Sequence, residues 1–123
     1  MAGELDLARL LQGLSPRLYA ERYSFAETAD ATLRDVQFAL IREGEGLTSI
    51  EVDPEGEWAR ISLGVHSSLE AVGLTAELSA RLTEKGISAN IVAALNHDHL
   101  FVPWARREEA IAILHGLEGG ATD

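Results

Sequence analysis

Between Arg60 and Val102 the hydrophobic period of the chain changes twice, and that restricts the folds open to it. Ile61, Leu63 and Val65 alternate with Arg60, Ser62 and Gly64, the period-two pattern of a half-buried strand. Leu74, Leu78 and Leu82 then recur every fourth residue, with Ala76 and Ala80 beside them, so a helix follows. Lys85 suits the negative C-terminal end of that helix, and Gly86 the position just beyond it. Ile87, Ala89, Ile91, Ala93 and Leu95 return to period two. Asn96-His97-Asp98 turns the chain, and His99 to Pro103 comes back as a third strand. Glu108 to Leu117 forms a last helix with Ile111, Leu114 and Leu117 facing inward.

The N-terminal half is less regular. Glu4 to Gly13 has the apolar spacing of a short helix, and Ser15-Pro16 marks a turn. Arg22 to Ala26 alternates as a strand, Thr28 to Leu33 reads as a loop, and Val36 to Arg42 alternates again. Gly44-Glu45-Gly46 supplies a hairpin turn back into Leu47–Val52. The turn-rich Asp53-Pro54-Glu55-Gly56 divides the chain, and Trp58 is expected to pack beside it. After that break the order is strand–helix–strand–strand–helix, a ferredoxin-like half-module short of its last strand. An unfinished sheet exposes an edge. Either the first half completes that sheet, or two sheets pair across a dimer.

Charge and composition remove several functional classes. The net charge is −10, from 10 Lys+Arg against 20 Asp+Glu, and it is spread along the chain. Residues 1–56 carry 5 Arg and 11 acids (−6), and residues 57–123 carry 5 Lys+Arg and 9 acids (−4). No basic stripe exists to neutralise phosphates, so neither nucleic acid nor an anionic membrane is an expected partner. With no cysteine, disulfides, thiol catalysis and cysteine-based metal sites are excluded. The N-terminus has neither a basic n-region nor an apolar h-region, and a cytoplasmic protein is expected.

Few residues offer chemistry. Ser67 and Glu70 have capping-box spacing, and capping alone would account for both. The loop His66–Gly73 nevertheless joins a strand end to a helix start, where backbone N–H groups and the helix dipole favour a carboxylate or phosphate. Gly73, placed within the first helical turns, would cost about 1 kcal/mol against Ala unless something approaches the backbone closely. Asn90 lies mid-strand opposite Ile91, facing solvent or a ligand. His97 and His99 share a strand face and could share a metal, with Asp98 between them. No third ligand is assignable for a catalytic zinc, and a plain hairpin turn, with Asp98 bonding backbone and one His packing, is the preferred reading of the trio. His115 reads as a surface residue. No nucleophile elbow, zinc-protease motif, phosphate loop or dinucleotide fingerprint occurs.

The runs V-H-S-S-L-E-A-V-G-L-T-A (Val65–Ala76), G-I-S-A-N-I-V-A (Gly86–Ala93) and H-D-H-L-F-V-P (His97–Pro103) resemble a family of small bacterial ACT-domain proteins. F-A-L-I-R-E-G-E-G-L-T (Phe38–Thr48) looks like the matching hairpin of a divergent first half. The resemblance implies an α+β fold of ferredoxin-like modules, an antiparallel sheet with helices on one face. It implies an ACT-like half over 1–56, an ACT domain over 57–118 and a flexible tail over 119–123. It further implies a non-enzymatic regulatory protein that binds a free amino acid, works as a homodimer, needs no cofactor and acts on an enzyme or transporter. The family's Gly-Leu at the helix start matches Gly73-Leu74. Ser67, Ser68, Leu69, Glu70, Gly73 and Leu74 then become the expected ligand loop, and Asn90, Ile91 and Val92 the opposite wall. Glu70 or Asn90 would receive the amino group. The chain departs from the family where Ala89 replaces a frequent Cys and Ala94-Leu95-Asn96 an aromatic-rich stretch. Two other readings stay open: a ligand-free interaction module, and a metal-binding protein using His97 and His99.

Overall fold

In the computed structural model, which describes residues 6–68 and 71–119, the two halves share one sheet. The elements run α1 (Leu7–Gln12), β1 (Pro16–Thr28), β2 (Gln37–Glu43), β3 (Gly46–Val52), β4 (Trp58–Leu63), α2 (Leu74–Glu84), β5 (Asn90–Ala93), β6 (Asp98–Pro103) and α3 (Arg107–Glu118). The six strands lie in the order β2-β3-β1-β4-β6-β5, and every neighbouring pair is antiparallel. Each half alone has the order second–third–first strand. The place beside its first strand, where a ferredoxin-like sheet needs a fourth, is filled by the other half. Thus β1 completes the sheet of the second half and β4 that of the first. Of the two expected ways to cover the open edge, the chain uses the internal one.

All three helices pack on one face. Leu10, Leu11 and Leu14 from the N-terminal segment meet Leu74, Leu78 and Leu82 of α2 and Ala110, Leu114 and Leu117 of α3. Beneath them lie Ala59, Ile61 and Leu63 of β4 and Leu100 and Val102 of β6. These are the alternate residues that period two assigns to one side. Leu10, Leu14, Ile61, Leu82, Leu100 and Leu114 have no exposed surface. Each such side chain gains about 1.5–3 kcal/mol from burial, so this face dominates the stability.

Among the described residues the other face carries no helix, and the sheet curls over it. Phe38 at the β2 edge reaches across three strands to β6, its ring 4.8 Å from His99 and 5.4 Å from Phe101. Tyr23, Ile50 and Phe101 are buried there, with Phe38, Val52, Trp58 and Val92 packed against them. Trp58 therefore packs as expected.

Several local expectations change. β1 begins at Pro16, well before the strand expected at Arg22. Its pairing with β4 shifts between Leu18 and Arg22, so that four residues of β1 advance against two of β4. This bulge breaks the alternation by which a strand is read. Gly73 is the N-cap of α2, with φ 97°, and lies outside the helical turns. Ser67 stands six residues before Gly73, too far to cap, so the capping-box reading of Ser67 and Glu70 fails. The second-half strand expected over Ile87–Leu95 shortens to β5, and Leu95 is exposed. Leu69, Glu70 and the tail beyond Gly119 lie outside the described residues.

Candidate functional site

Two concavities flank β6, one on each side of the sheet. The first lies at the N-terminal end of α2. It is a hollow of about 110 Å³ lined by Ser67, Ser68, Gly73, Leu74, Ala93 and Asp98 among others. The chain enters it from β4, and the left-handed Gly73 turns the backbone directly into α2. That backbone angle is one that residues with a Cβ rarely adopt. Asp98, the first residue of β6, points in from below. It is only 8% exposed and accepts a bond from the Ser67 hydroxyl at 3.5 Å. Burial raises its pKa above the ordinary carboxylate value, against the opposing pull of that bond and of His97. No Lys, Arg or His ion pair holds this carboxylate among the described residues. The hollow therefore sets an acidic floor opposite the positive end of a helix.

The structure brings four of the expected loop residues together here: Ser67, Ser68, Gly73 and Leu74. Leu69 and Glu70 fall outside the described residues. The expected opposite wall is not what faces them. β5 contributes Ala93, while Asn90 is exposed, Ile91 packs into the helix-side core and Val92 into the aromatic cluster. From sequence alone Asp98 reads as part of a turn. The signal that distinguishes it is its place at the start of a strand, on the face opposite both neighbouring histidines.

The second concavity opens on the helix-free face. It measures about 380 Å³ and is lined by Arg17, Tyr19, Arg60, Ser62, His97 and His99, together with the Ser15 and Gly64 corner. Arg60 is its centre. The guanidinium carbon sits 4.1 Å from the Tyr19 ring centroid and 4.4 Å from that of Phe38. Its Nη1 donates to the Tyr23 hydroxyl at 3.2 Å, and its Nη2 lies 3.4 Å from His99 Nδ1. Burial, then the Arg60 charge and His97, lower the His99 pKa to about 4. His99 is therefore a neutral ring at pH 7, and with Nδ1 accepting from Arg60 its proton sits on Nε2.

The possible metal trio does not converge. His97 and His99 line the second cleft while Asp98 turns into the first hollow, as alternation on a strand requires. His97 Nδ1 lies 3.4 Å from the Val65 carbonyl oxygen. Among the described residues no three His, Asp or Glu side chains gather as a metal site. His115 pairs with Glu118 at 3.0 Å on the surface of α3. None of the described helices is long and apolar enough to cross a membrane.

Two ACT-domain family models match the chain, one over residues 54–116 and another over residues 2–62. The chain belongs to the ACT-domain family. Both matches include most of β4, the strand that completes the sheet of the first half. ACT domains are ferredoxin-like, and the α+β arrangement seen here, a curled antiparallel sheet with helices, is of that kind. They are typically regulatory modules that bind small ligands. Among solved structures, this ACT protein is similar to one from Vibrio cholerae described as a protein of unknown function and possible transport protein. That similarity has 37% identity, a TM-score of 0.75, and coverage of 91% of this chain and 95% of the other. A protein from Agobacterium tumefaciens shares the fold at 16% identity and a TM-score of 0.65, covering 85% of this chain and 89% of that one. No curated protein matches the chain.

Proposed function

We propose that this ACT protein is a non-enzymatic, cytoplasmic sensor of a free amino acid, and that the hollow between α2 and Asp98 holds the amino acid's head group. One observation carries the reading: a buried carboxylate, without an ion pair among the described residues, faces the N-terminal end of a helix that Gly73 has no side chain to cap. A zwitterion matches that pair of charges. Its ammonium would lie on Asp98, and its carboxylate on the backbone N–H groups at Gly73–Thr75. Asp98 thus takes the role that sequence alone gives to Glu70 or Asn90. At about 110 Å³ the hollow suits a head group, leaving the side chain to reach outward.

Val72 and Leu95 flank the lining segments, and both are exposed, at 83% and 71%. A second copy of the chain laid over them would cover two large apolar side chains and close the hollow. The reading is thus a homodimer with ligand near its interface, acting on an enzyme or transporter. ACT domains commonly dimerise, which supports it.

The test is a thermal-shift screen of the twenty amino acids against the wild type and Asp98→Asn. Ligand at about 100 times its dissociation constant adds roughly 2.7 kcal/mol, several degrees for a domain of this size. A selective shift with one amino acid, lost in Asp98→Asn, is expected. No shift with any of them, or a shift indifferent to the substitution, would remove the proposal.

A further inference from the structure

We propose that the cleft on the helix-free face is a second binding site, separate from the hollow at α2, and that it takes a small oxyanion (a carboxylate or a phosphate group) between Arg60 and Arg17. The chain has twice as many acids as bases, so carboxylates are not scarce near this cleft's arginines for want of numbers. Among the described residues, neither Arg17 nor Arg60 has a carboxylate within 4.0 Å. Both guanidiniums instead lie against one ring, that of Tyr19, at 4.5 and 4.1 Å. Two like charges gathered on one aromatic ring repel each other, and an anion between them removes the repulsion.

Arg60 strengthens the case. It is largely enclosed by Tyr19, Tyr23, Phe38 and His99, all of them neutral partners. Its Nε is shut off from solvent and has no hydrogen-bond partner. Taking a cation out of water without a counter-ion is costly, and buried polar atoms without partners are uncommon in stable folds. The cleft is also built to donate. His99 holds its ring proton on Nε2, and the Ser62 and Tyr19 hydroxyls are linked at 3.2 Å on the same wall. The bulge in β1 begins just after Leu18 and sets Tyr19 over this wall. Bulges commonly re-aim a side chain beside a functional site. The volume, about 380 Å³, falls within the roughly 300–1,000 Å³ usual for small-ligand pockets.

Inorganic phosphate and succinate are the probes, each titrated into the full-length protein with sodium chloride at matched ionic strength as control. Binding is followed by melting temperature and by calorimetry. A saturable response to phosphate alone assigns a phosphate-bearing ligand, and one to succinate alone a carboxylate. Arg17→Gln, at an exposed position outside the core, is expected to weaken the responding anion about tenfold, the worth of one charge-assisted contact. Arg60→Gln is expected to abolish the response. Asp98→Asn is expected to leave it unchanged, which separates this site from the amino-acid hollow. The proposal is overturned if neither anion exceeds the chloride control, or if Arg17→Gln and Arg60→Gln both respond as the wild type does.

Discussion

At Asp98 a side chain sits where folding would not choose to put it. Its carboxylate is buried, its pKa is raised by that burial, and a single long hydroxyl bond is its only support among the described residues. Replacing it with Asn removes a charge whose desolvation the fold currently bears. Asp98→Asn is therefore expected to melt no lower than the wild type at pH 7, even though it should lose ligand. A drop of more than a few degrees would show that the carboxylate stabilises the fold. His99 makes the opposite kind of contribution. Its folded pKa of about 4 lies below the ordinary 6.5, so between those values the unfolded chain takes up a proton that the folded chain refuses. The associated stability is fully present above pH 6.5 and is lost as the pH falls through about 4. A tenfold difference in proton affinity between the folded and unfolded chain is worth about 1.4 kcal/mol, and screening in the half-open cleft leaves on the order of 2 kcal/mol in all. Urea unfolding at pH 7.5 and pH 4 should show that loss in the wild type, reduced in His99→Gln. Parallel pH profiles for the two proteins would place the sensitivity elsewhere.

Among the elements, those with one clean period are legible in the sequence. The leucines of α2 and the alternation of β4 are enough to put Leu78 and Ile61 in the core, where the structure has them. β1 is not legible upstream of Arg22, because its register shift places Tyr19 to Glu21 outside any single alternation. The hollow is half legible. Ser67, Ser68, Gly73 and Leu74 are close enough in the chain to be read as one loop, whereas Asp98 joins them only through the pairing of β6. Arg60 is hidden by its own pattern. On a strand with one apolar face, an arginine on the other reads as solvent-facing. Only the curl of the sheet, which brings Phe38 over it, shows otherwise. The turn between β3 and β4 is tighter than its sequence suggests. A Cβ on Gly56 would stand 2.2 Å from the Tyr23 carbonyl oxygen. Gly56→Ala must push that turn off β1, and we expect a loss of at least about 2 kcal/mol in urea denaturation. An unchanged midpoint would mean the turn can move without disturbing the sheet.

On the scale of the whole molecule, the seam between β1 and β4 decides what can fold. Neither half contains four strands, and each borrows its missing neighbour from the other. Residues 57–119 expressed alone would leave one side of β4 unpaired and strip Leu10, Leu11 and Leu14 from the helix-side core. We expect no cooperative melting transition from that fragment by circular dichroism. A cooperative melt would show that the second half is self-sufficient. Within the intact chain, β6 is the partition between two unlike chambers. Asp98 and His99 are adjacent in sequence, yet one serves the acidic hollow and the other the basic cleft. A one-residue slip of this strand would exchange their sides. An imidazole would then enter the hollow, Leu100 and Val102 would leave the core, and a carboxylate would fall beside Arg60 and neutralise it in place. The alignment of β6 is thus guarded twice over, by oil on one side and by the sign of charge on both.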